Sequence, residues 1–422
     1  MEKIIIKGGK PLCGKVKIGG AKNAALPLIS SSILLDGGCE FCNVPQLKDV
    51  ETICKLLELM GAEFELKQHN LKIDASNINK TFVPYDLVKT MRASILVLGP
   101  LLAKYKKARV SLPGGCAIGE RPVNLHIEAL RKLGALIEVK NGYIEAKAKK
   151  LRGREIYFDI STVTGTENVV MAATLADGVT TILNAAQEPE VVDLANFLNS
   201  CGAKIEGAGT ENIVVSGVSS LRANKVHNII FDRVEAGTYM VLACATKGDV
   251  EIINAPYSHL HAVVEKLESV GASINVKENG LRVKMKGKIK HTDIKTMPYP
   301  GFPTDMQAQF TSLLSIADGN SVIAETIFEK RFSHVPELVR MGANIRVSGN
   351  HAIIEGVDHL NGAPVTAADL RASASLIIAG LAARGETTMF GVHHLDRGYE
   401  NLEQKISVLS GSIRRERRER SE

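Results

Sequence analysis

The sequence predicts an α/β fold of six repeats arranged as two domains of three, and three observations lead there. A segment with helical apolar spacing that ends in Gly-Ala and runs into a strand recurs along the chain, around Gly61, Gly134, Gly202, Gly271 and Gly342, with a weaker copy at Gly411. These glycines are 73, 68, 69, 71 and 69 residues apart. Self-similarity at a fixed period is the mark of stacked supersecondary units. Each copy continues as two strand-like runs around a turn, most clearly in residues 274–285, where Asn279-Gly280 reads as the hairpin turn. The sixth copy offers one such run only, from Ile413 onward, while Glu2 to Gly9 has the character of the second strands at 212–217 and 352–356. The N-terminal strand is therefore expected to complete the last repeat.

Each element has a local reason. A helix ending in a left-handed residue favours glycine, which has no Cβ to clash. The segment before it is amphipathic, as in Val263 to Val270, and so predicts a half-buried helix. Six units of about 70 residues exceed what a single core sustains, which makes two βαβαβ-like triplets the natural division. The expected domains are residues 22–229, and residues 1–21 with 230–422. The arginine-rich residues 414–422 carry no motif and are expected to be a disordered, solvated tail.

Composition narrows the function classes. Apolar residues make up 45% and charged residues 23%, as in ordinary globular proteins. There is no tryptophan and aromatics are 5%, which argues against base stacking and hence against a nucleic-acid partner. The net charge of +6 includes +2 from residues 414–422, leaving a mild excess that fits an acidic small molecule as well as a nucleic acid, so the placement of the basic residues must decide. Seven scattered cysteines (13, 39, 42, 54, 116, 201 and 244) fit a reduced, cytoplasmic protein. Cys39 and Cys42 form a CxxC with no second pair at zinc spacing. Adjacent His393 and His394 would point to opposite faces of a strand, so no metal is expected there either. The longest apolar runs, 95–103 and 376–383, fall far short of the ~20 residues of a membrane span, and the N-terminal run is too short for a signal peptide. No phosphate-binding GxxxxGK[ST] loop occurs, and Gly8-Gly9 and Gly19-Gly20 are weak signals alone.

Candidate chemistry sits in the repeat register and in one loop. Residues 112–124 hold three glycines and two prolines between a strand-like and a helix-like run, and display Cys116 near Arg121. A nearby cation favours thiolate and raises its reactivity. At the start of the first helix of successive units stand Lys22-Asn23, Arg92, Glu167, Glu235, Asp305 and Arg371; ahead of the second stand Lys48, Arg121, Glu190, His261, Arg331 and Arg397. Helix N-termini favour anions, and guanidinium forks bind phosphate and carboxylate in two-point fashion. Taken singly, each cation is more often solvated or paired. As a set at equivalent positions they predict convergence on a polyanionic ligand. Asp369, just before Arg371, is expected to cap its helix; for Asp305 a cap and a functional role are both open.

The motifs Gly19 to Leu26, Met91 to Ser94, Pro113 to Pro122, Gly165 to Asn168, Pro300 to Asp305 and Asp369 to Ala372 resemble those of the UDP-N-acetylglucosamine 1-carboxyvinyltransferase family of enolpyruvyl transferases, nearly end to end. The resemblance implies two inside-out α/β barrel domains, with no metal and no organic cofactor. It implies transfer of the enolpyruvyl group of phosphoenolpyruvate to the 3′-hydroxyl of UDP-N-acetylglucosamine, at the entry to peptidoglycan synthesis. By motif, Cys116 is the general acid, can become attached to phosphoenolpyruvate, and is the residue alkylated by fosfomycin; Asp305 takes the hydroxyl proton. Lys22, Arg92, Arg121, Arg371 and Arg397 would hold the phosphate and carboxylate, Lys22 and Arg397 with a catalytic part. Arg331 and Asp369 would border the reaction centre, and Lys48 would be a further substrate contact. Asn23, Arg121, Pro122, Val123, Asn124, Leu125, Thr162, Val163, Thr164, Asp305 and Ile327 would meet the UDP-sugar, and the loop 112–124 would move as a lid. Where many relatives carry Ser-Val-Gly, this chain has Thr162-Val163-Thr164. Two rivals stand beside this reading. An enolpyruvylshikimate phosphate synthase-like enzyme lacks the cysteine loop, and a non-catalytic UDP-sugar-binding paralogue has no need of intact Cys116 and Asp305.

Overall fold

The computed structural model describes residues 2–88, 91–112 and 123–417. They form two units, one of residues 20–88, 91–112 and 123–230, the other of residues 2–19 and 231–417. Gly20, Ala21 and Ile230 thus fall in the first unit, where Ala21 N–H donates to the Ile230 carbonyl at 2.8 Å.

Among the described residues each unit carries three four-stranded sheets of one plan. A short strand runs parallel to a second, the second pairs antiparallel with the outgoing arm of a hairpin, and the hairpin's first arm lies at the edge. In the first unit the second strands are Cys39–Cys42, Lys107–Ser111 and Val179–Leu183, and in the other Asp249–Ile253, Asn320–Ala324 and Glu386–Phe390. A parallel pair needs a crossover, and a helical one joins four of the six short strands directly to their partners; Cys13–Lys17 and His227–Asn228 instead pair with strands far along the chain. The strand Cys13–Lys17 opens the fourth repeat by pairing parallel with Asp249–Ile253. Glu2–Lys7 lies between Glu386–Phe390 and Ser412–Arg417, antiparallel to both, and so fills the slot the sixth copy leaves open.

The first helices of the repeats are buried on nearly all sides and lie at the centre of their unit, while the amphipathic second helices and the sheets cover them. In the second unit, Arg233–Ala245, Gln307–Leu314 and Leu370–Ala382 pack against one another and are buried along nearly their whole length. The first unit encloses Lys22–Ser31, Leu98–Tyr105 and Val163–Ala173 in the same way. Hydroxyls buried in these helices bond back to the preceding turn, as Ser30 does to the Leu26 carbonyl at 2.8 Å, or across helices, as Ser312 does to Ser375 at 2.7 Å. No helix among the described residues is long and apolar enough to cross a membrane.

Four expectations need correcting. Residues 414–417 belong to the strand Ser412–Arg417 rather than to a disordered tail. Its backbone is paired with Glu2–Lys7, and its charges are met by Arg417–Glu2 and Lys3–Glu416 contacts, both at 3.0 Å. Residues 418–422 lie outside the described residues. In the sixth repeat the left-handed residue is Ser410, at φ 66°, and Gly411 occupies the alanine slot, its N–H donating to the Ile406 carbonyl as that of Ala62 does to Leu57. The turn of the hairpin 272–285 is Glu278-Asn279, and Gly280 already pairs with Lys277. Glycine is needed there because a Cβ would stand 2.1 Å from the Ile252 carbonyl oxygen of the adjacent strand. His393 and His394 lie on the 3-10 helix Val392–Arg397 with ring centroids 4.0 Å apart, not on opposite faces of a strand.

Candidate active site

In the second unit the register brings Asp305, Arg331 and Arg371 together. Asp305 lies in the 3-10 turn Thr304–Met306 that leads into a central helix, and its side chain makes no cap bond. Its two oxygens are taken instead by guanidinium groups, Oδ1 by Arg331 Nη2 at 2.5 Å and Oδ2 by Arg371 Nη2 at 2.7 Å. Burial alone would raise the carboxyl's pKa, but the charges of Arg371 and Arg331 outweigh it and hold the group well below the usual carboxylate range. Both guanidiniums are themselves anchored. Arg331 Nη1 donates to Thr304 Oγ1 at 2.8 Å, whose hydroxyl donates to Glu325, and Arg371 Nη1 donates to the Tyr399 hydroxyl at 3.3 Å. Arg331 is 4% exposed, and its Nε is buried with no partner among the described residues.

Asp369 caps the helix Leu370–Ala382, accepting from the N–H groups of Arg371 and Ala372 at 2.8 and 3.0 Å. It also accepts the Ser333 hydroxyl at 2.8 Å. Burial raises its pKa, and these hydrogen bonds with the Arg331 charge bring it below the ordinary value. The neighbouring His334 is buried, which pushes its ring down to about 4 and leaves it neutral beside Arg331. Arg397 closes the 3-10 helix Val392–Arg397, and both it and Asp369 act electrostatically on His394. Ile327 is held by its N–H, which donates to Glu325 at 2.8 Å, and its side chain faces solvent. The sequence reading missed Thr304, Glu325, Ser333 and Tyr399, whose roles are set by partners far along the chain.

In the first unit Lys22 opens the helix Lys22–Ser31, and its ammonium lies 3.5 Å from Asp49, in the first turn of the helix Lys48–Met60 that Lys48 begins. Asn23 is half-buried beside it. Arg92 begins the 3-10 segment Arg92–Val97. Thr162 caps the helix Val163–Ala173, its hydroxyl accepting from Gly165 N–H at 3.3 Å. Position 165 must be glycine for that closeness, since a Cβ would meet Thr162 Cγ2 at 2.3 Å. The first-turn N–H groups of Val163 and Thr164 give this helix end the partial positive charge that favours an anion. Val123 precedes the helix Asn124–Lys132, with Asn124 exposed and Leu125 half-buried.

Not every register position is a cation site. Glu235 is a buried acid whose carboxylate takes Lys405 at 2.6 Å and Gly19 N–H at 3.0 Å. His261 stacks edge-on against Tyr257. Cys116, Arg121 and Pro122 lie outside the described residues, as does the side chain of Arg92. Of the other cysteines, burial pushes the thiols of Cys54 and Cys244 up to about 12 and that of Cys201 to about 11, which makes them poor nucleophiles. Among the described residues no group of three His, Cys, Asp or Glu side chains is placed to hold a metal ion.

The chain matches the EPSP synthase (3-phosphoshikimate 1-carboxyvinyltransferase) family model over residues 6–406. It is 57% identical to the UDP-N-acetylglucosamine 1-carboxyvinyltransferase of Desulfatibacillum aliphaticivorans over 98% of this chain and 100% of that protein. It is 55% identical to the protein of the same name from Geobacter metallireducens over 98% of this chain and 99% of that one. Among solved structures, the enolpyruvyl transferase NikO of Streptomyces tendae superposes with a TM-score of 0.89 at 23% identity, covering 98% of each chain. An EPSP synthase from Acinetobacter baumannii does so at 0.76 and 18%, covering 99% of this chain and 100% of that one. These two likenesses speak for the fold alone.

Proposed function

The chain belongs to the UDP-N-acetylglucosamine 1-carboxyvinyltransferases of the EPSP synthase family, and from that premise we propose that it transfers the enolpyruvyl group of phosphoenolpyruvate to the 3′-hydroxyl of UDP-N-acetylglucosamine, releasing inorganic phosphate. The observation that carries this reading is near-full-length identity to relatives named for that transfer. In the cell it would begin peptidoglycan synthesis in the cytoplasm, and through the wall bear on cell shape and division.

The chemistry is an addition followed by an elimination. Cys116 protonates the methylene carbon of phosphoenolpyruvate while the sugar oxygen bonds to its C2 and yields the hydroxyl proton to Asp305. The tetrahedral ketal then returns a methyl proton to the Cys116 thiolate as the C2–O bond to phosphate breaks, and the proton held by Asp305 leaves with the inorganic phosphate. Lys22, Arg92, Arg121, Arg371 and Arg397 offset the negative charge of the phosphate and carboxylate throughout. Asp305, engaged by two guanidiniums, is a weak base as it stands. It gains basicity when Arg371 and Arg331 turn from it to the anionic groups of the ligand. Asn23, Pro122 to Leu125, Thr162 to Thr164 and Ile327 receive the UDP-sugar, and Lys48 and Asp369 flank the reacting groups. No cofactor is needed for any step.

Phosphate release from phosphoenolpyruvate, dependent on UDP-N-acetylglucosamine, tests the reading; folded protein that releases none overturns it. Cys116→Ala is expected to abolish turnover and to remove inactivation by fosfomycin. Inactivation that persists in this variant would place the reactive thiol elsewhere.

A further inference from the structure

Resting on the activity proposed above, we infer that His126 is a positioning residue, which turns the Thr164 hydroxyl into a hydrogen-bond donor for the diphosphate of the sugar nucleotide. The argument begins at Asn168, fully buried in the helix Val163–Ala173. Its amide orientation is fixed by two backbone partners of opposite kind. Oδ1 accepts Gly99 N–H at 2.7 Å, and Nδ2 donates to the Ile95 carbonyl at 2.8 Å. The second Nδ2 hydrogen points at His126 Nδ1, 3.0 Å away. An amide NH2 can only donate, so Nδ1 accepts and the ring proton resides on Nε2. Nε2–H then donates to Thr164 Oγ1 at 3.3 Å.

The consequence falls on the threonine. Its oxygen accepts from the ring, so its own hydrogen is turned away, and among the described residues no other partner takes it. Thr164 is half-buried in the first turn of its helix, whereas His126 is 4% exposed, so water cannot substitute for the ring. The chain from Gly99 to Thr164 is built in, because a Cβ at Gly99 would stand 2.3 Å from the Asn168 carbonyl oxygen and 2.6 Å from Oδ1. A glycine at position 164 would have no hydroxyl to present.

The test combines kinetics, nucleotide binding and ring spectroscopy on the full chain. Thr164→Val is expected to raise KM for UDP-N-acetylglucosamine about tenfold, the effect of losing a donor to a charged acceptor. KM for phosphoenolpyruvate and kcat should stay within about twofold, and Thr164→Ser should restore the original value. His126→Phe should match Thr164→Val, with the double variant no worse than either, because both break one relay. Binding of UDP alone, by calorimetry, should weaken in parallel, and nitrogen-detected histidine spectra should show His126 protonated on Nε2 and bare on Nδ1. Additive losses, equal rises in both KM values, or a ring protonated on Nδ1 would overturn the inference. Should His126→Phe fail to fold, the valine–serine pair at 164 decides it. Should the wild type release no phosphate, the activity is refuted, and UDP binding with the ring tautomer still decides the relay.

Discussion

At the scale of single residues, the balance at Asp305 is electrostatic. Two guanidiniums 2.5 and 2.7 Å from one carboxylate repel each other, and that carboxylate is what offsets the repulsion. Removing one member of a buried ion pair costs about 3–5 kcal/mol, mostly from charge left without a partner. Asp305→Asn is therefore expected to lower the Tm at pH 7 clearly, and millimolar inorganic phosphate should recover part of the loss by standing in for the carboxylate. The sign with pH follows from the depressed pKa. A carboxylate held below its unfolded value stabilises the fold above that value and loses the contribution as pH falls. The gap in stability between wild type and variant should thus narrow as pH drops below about 4. A gap that is constant down to pH 3, or no response to phosphate, would show that Asp305 does not balance the two arginines.

At the scale of elements, the repeat was legible because its period and its helix-ending glycines are local signals. What escaped was partnership. Nothing in the order of residues says that Gly280 abuts the Ile252 carbonyl, so the turn was read one residue late. Likewise, a run of arginines reads as solvated until strand pairing brings Glu2, and the neighbouring helices bring Asp396 and Glu403, alongside Arg415 and Arg417. At the site, the register found Asp305, Arg331 and Arg371, yet not the Thr304–Glu325 and Tyr399 bonds that fix their orientation, nor the His126–Asn168 pair. Position is encoded locally, whereas hydrogen-bond partners come from residues tens to hundreds of positions away. A direct check lies at Gly280, which combines φ +137° with the 2.1 Å approach. Gly280→Ala should destabilise the protein by about 2 kcal/mol, between backbone strain and a forced strand shift. Gly287→Ala, at φ +80° with open space around it, isolates the strain alone and should cost less. Equal losses would mean that the carbonyl approach does not matter.

At the scale of the whole molecule, the two units differ in how the chain supplies them. All three sheets of the first draw their strands from residues 20–230, including the short strand His227–Asn228 that pairs with Cys39–Cys42. The second needs the start of the chain, because Glu2–Lys7 is an inner strand of one sheet and Cys13–Lys17 completes another. Without Glu2–Lys7, the strands Glu386–Phe390 and Ser412–Arg417 have no shared partner, and the apolar side chains that Ile4 and Ile6 bury are lost from the core. Unpaired strand edges of this kind invite aggregation. A fragment of residues 20–230 should therefore unfold as a cooperative two-state transition on its own. A fragment of residues 231–422 should lack that transition and regain it when residues 1–19 are joined through a flexible linker to its C-terminus, beside the strand they pair with. Circular dichroism melts of the three fragments decide the matter. A cooperative melt from residues 231–422 alone would show that the N-terminal strands add to a core already complete, and the lack of one from residues 20–230 would show that the first unit is not self-sufficient.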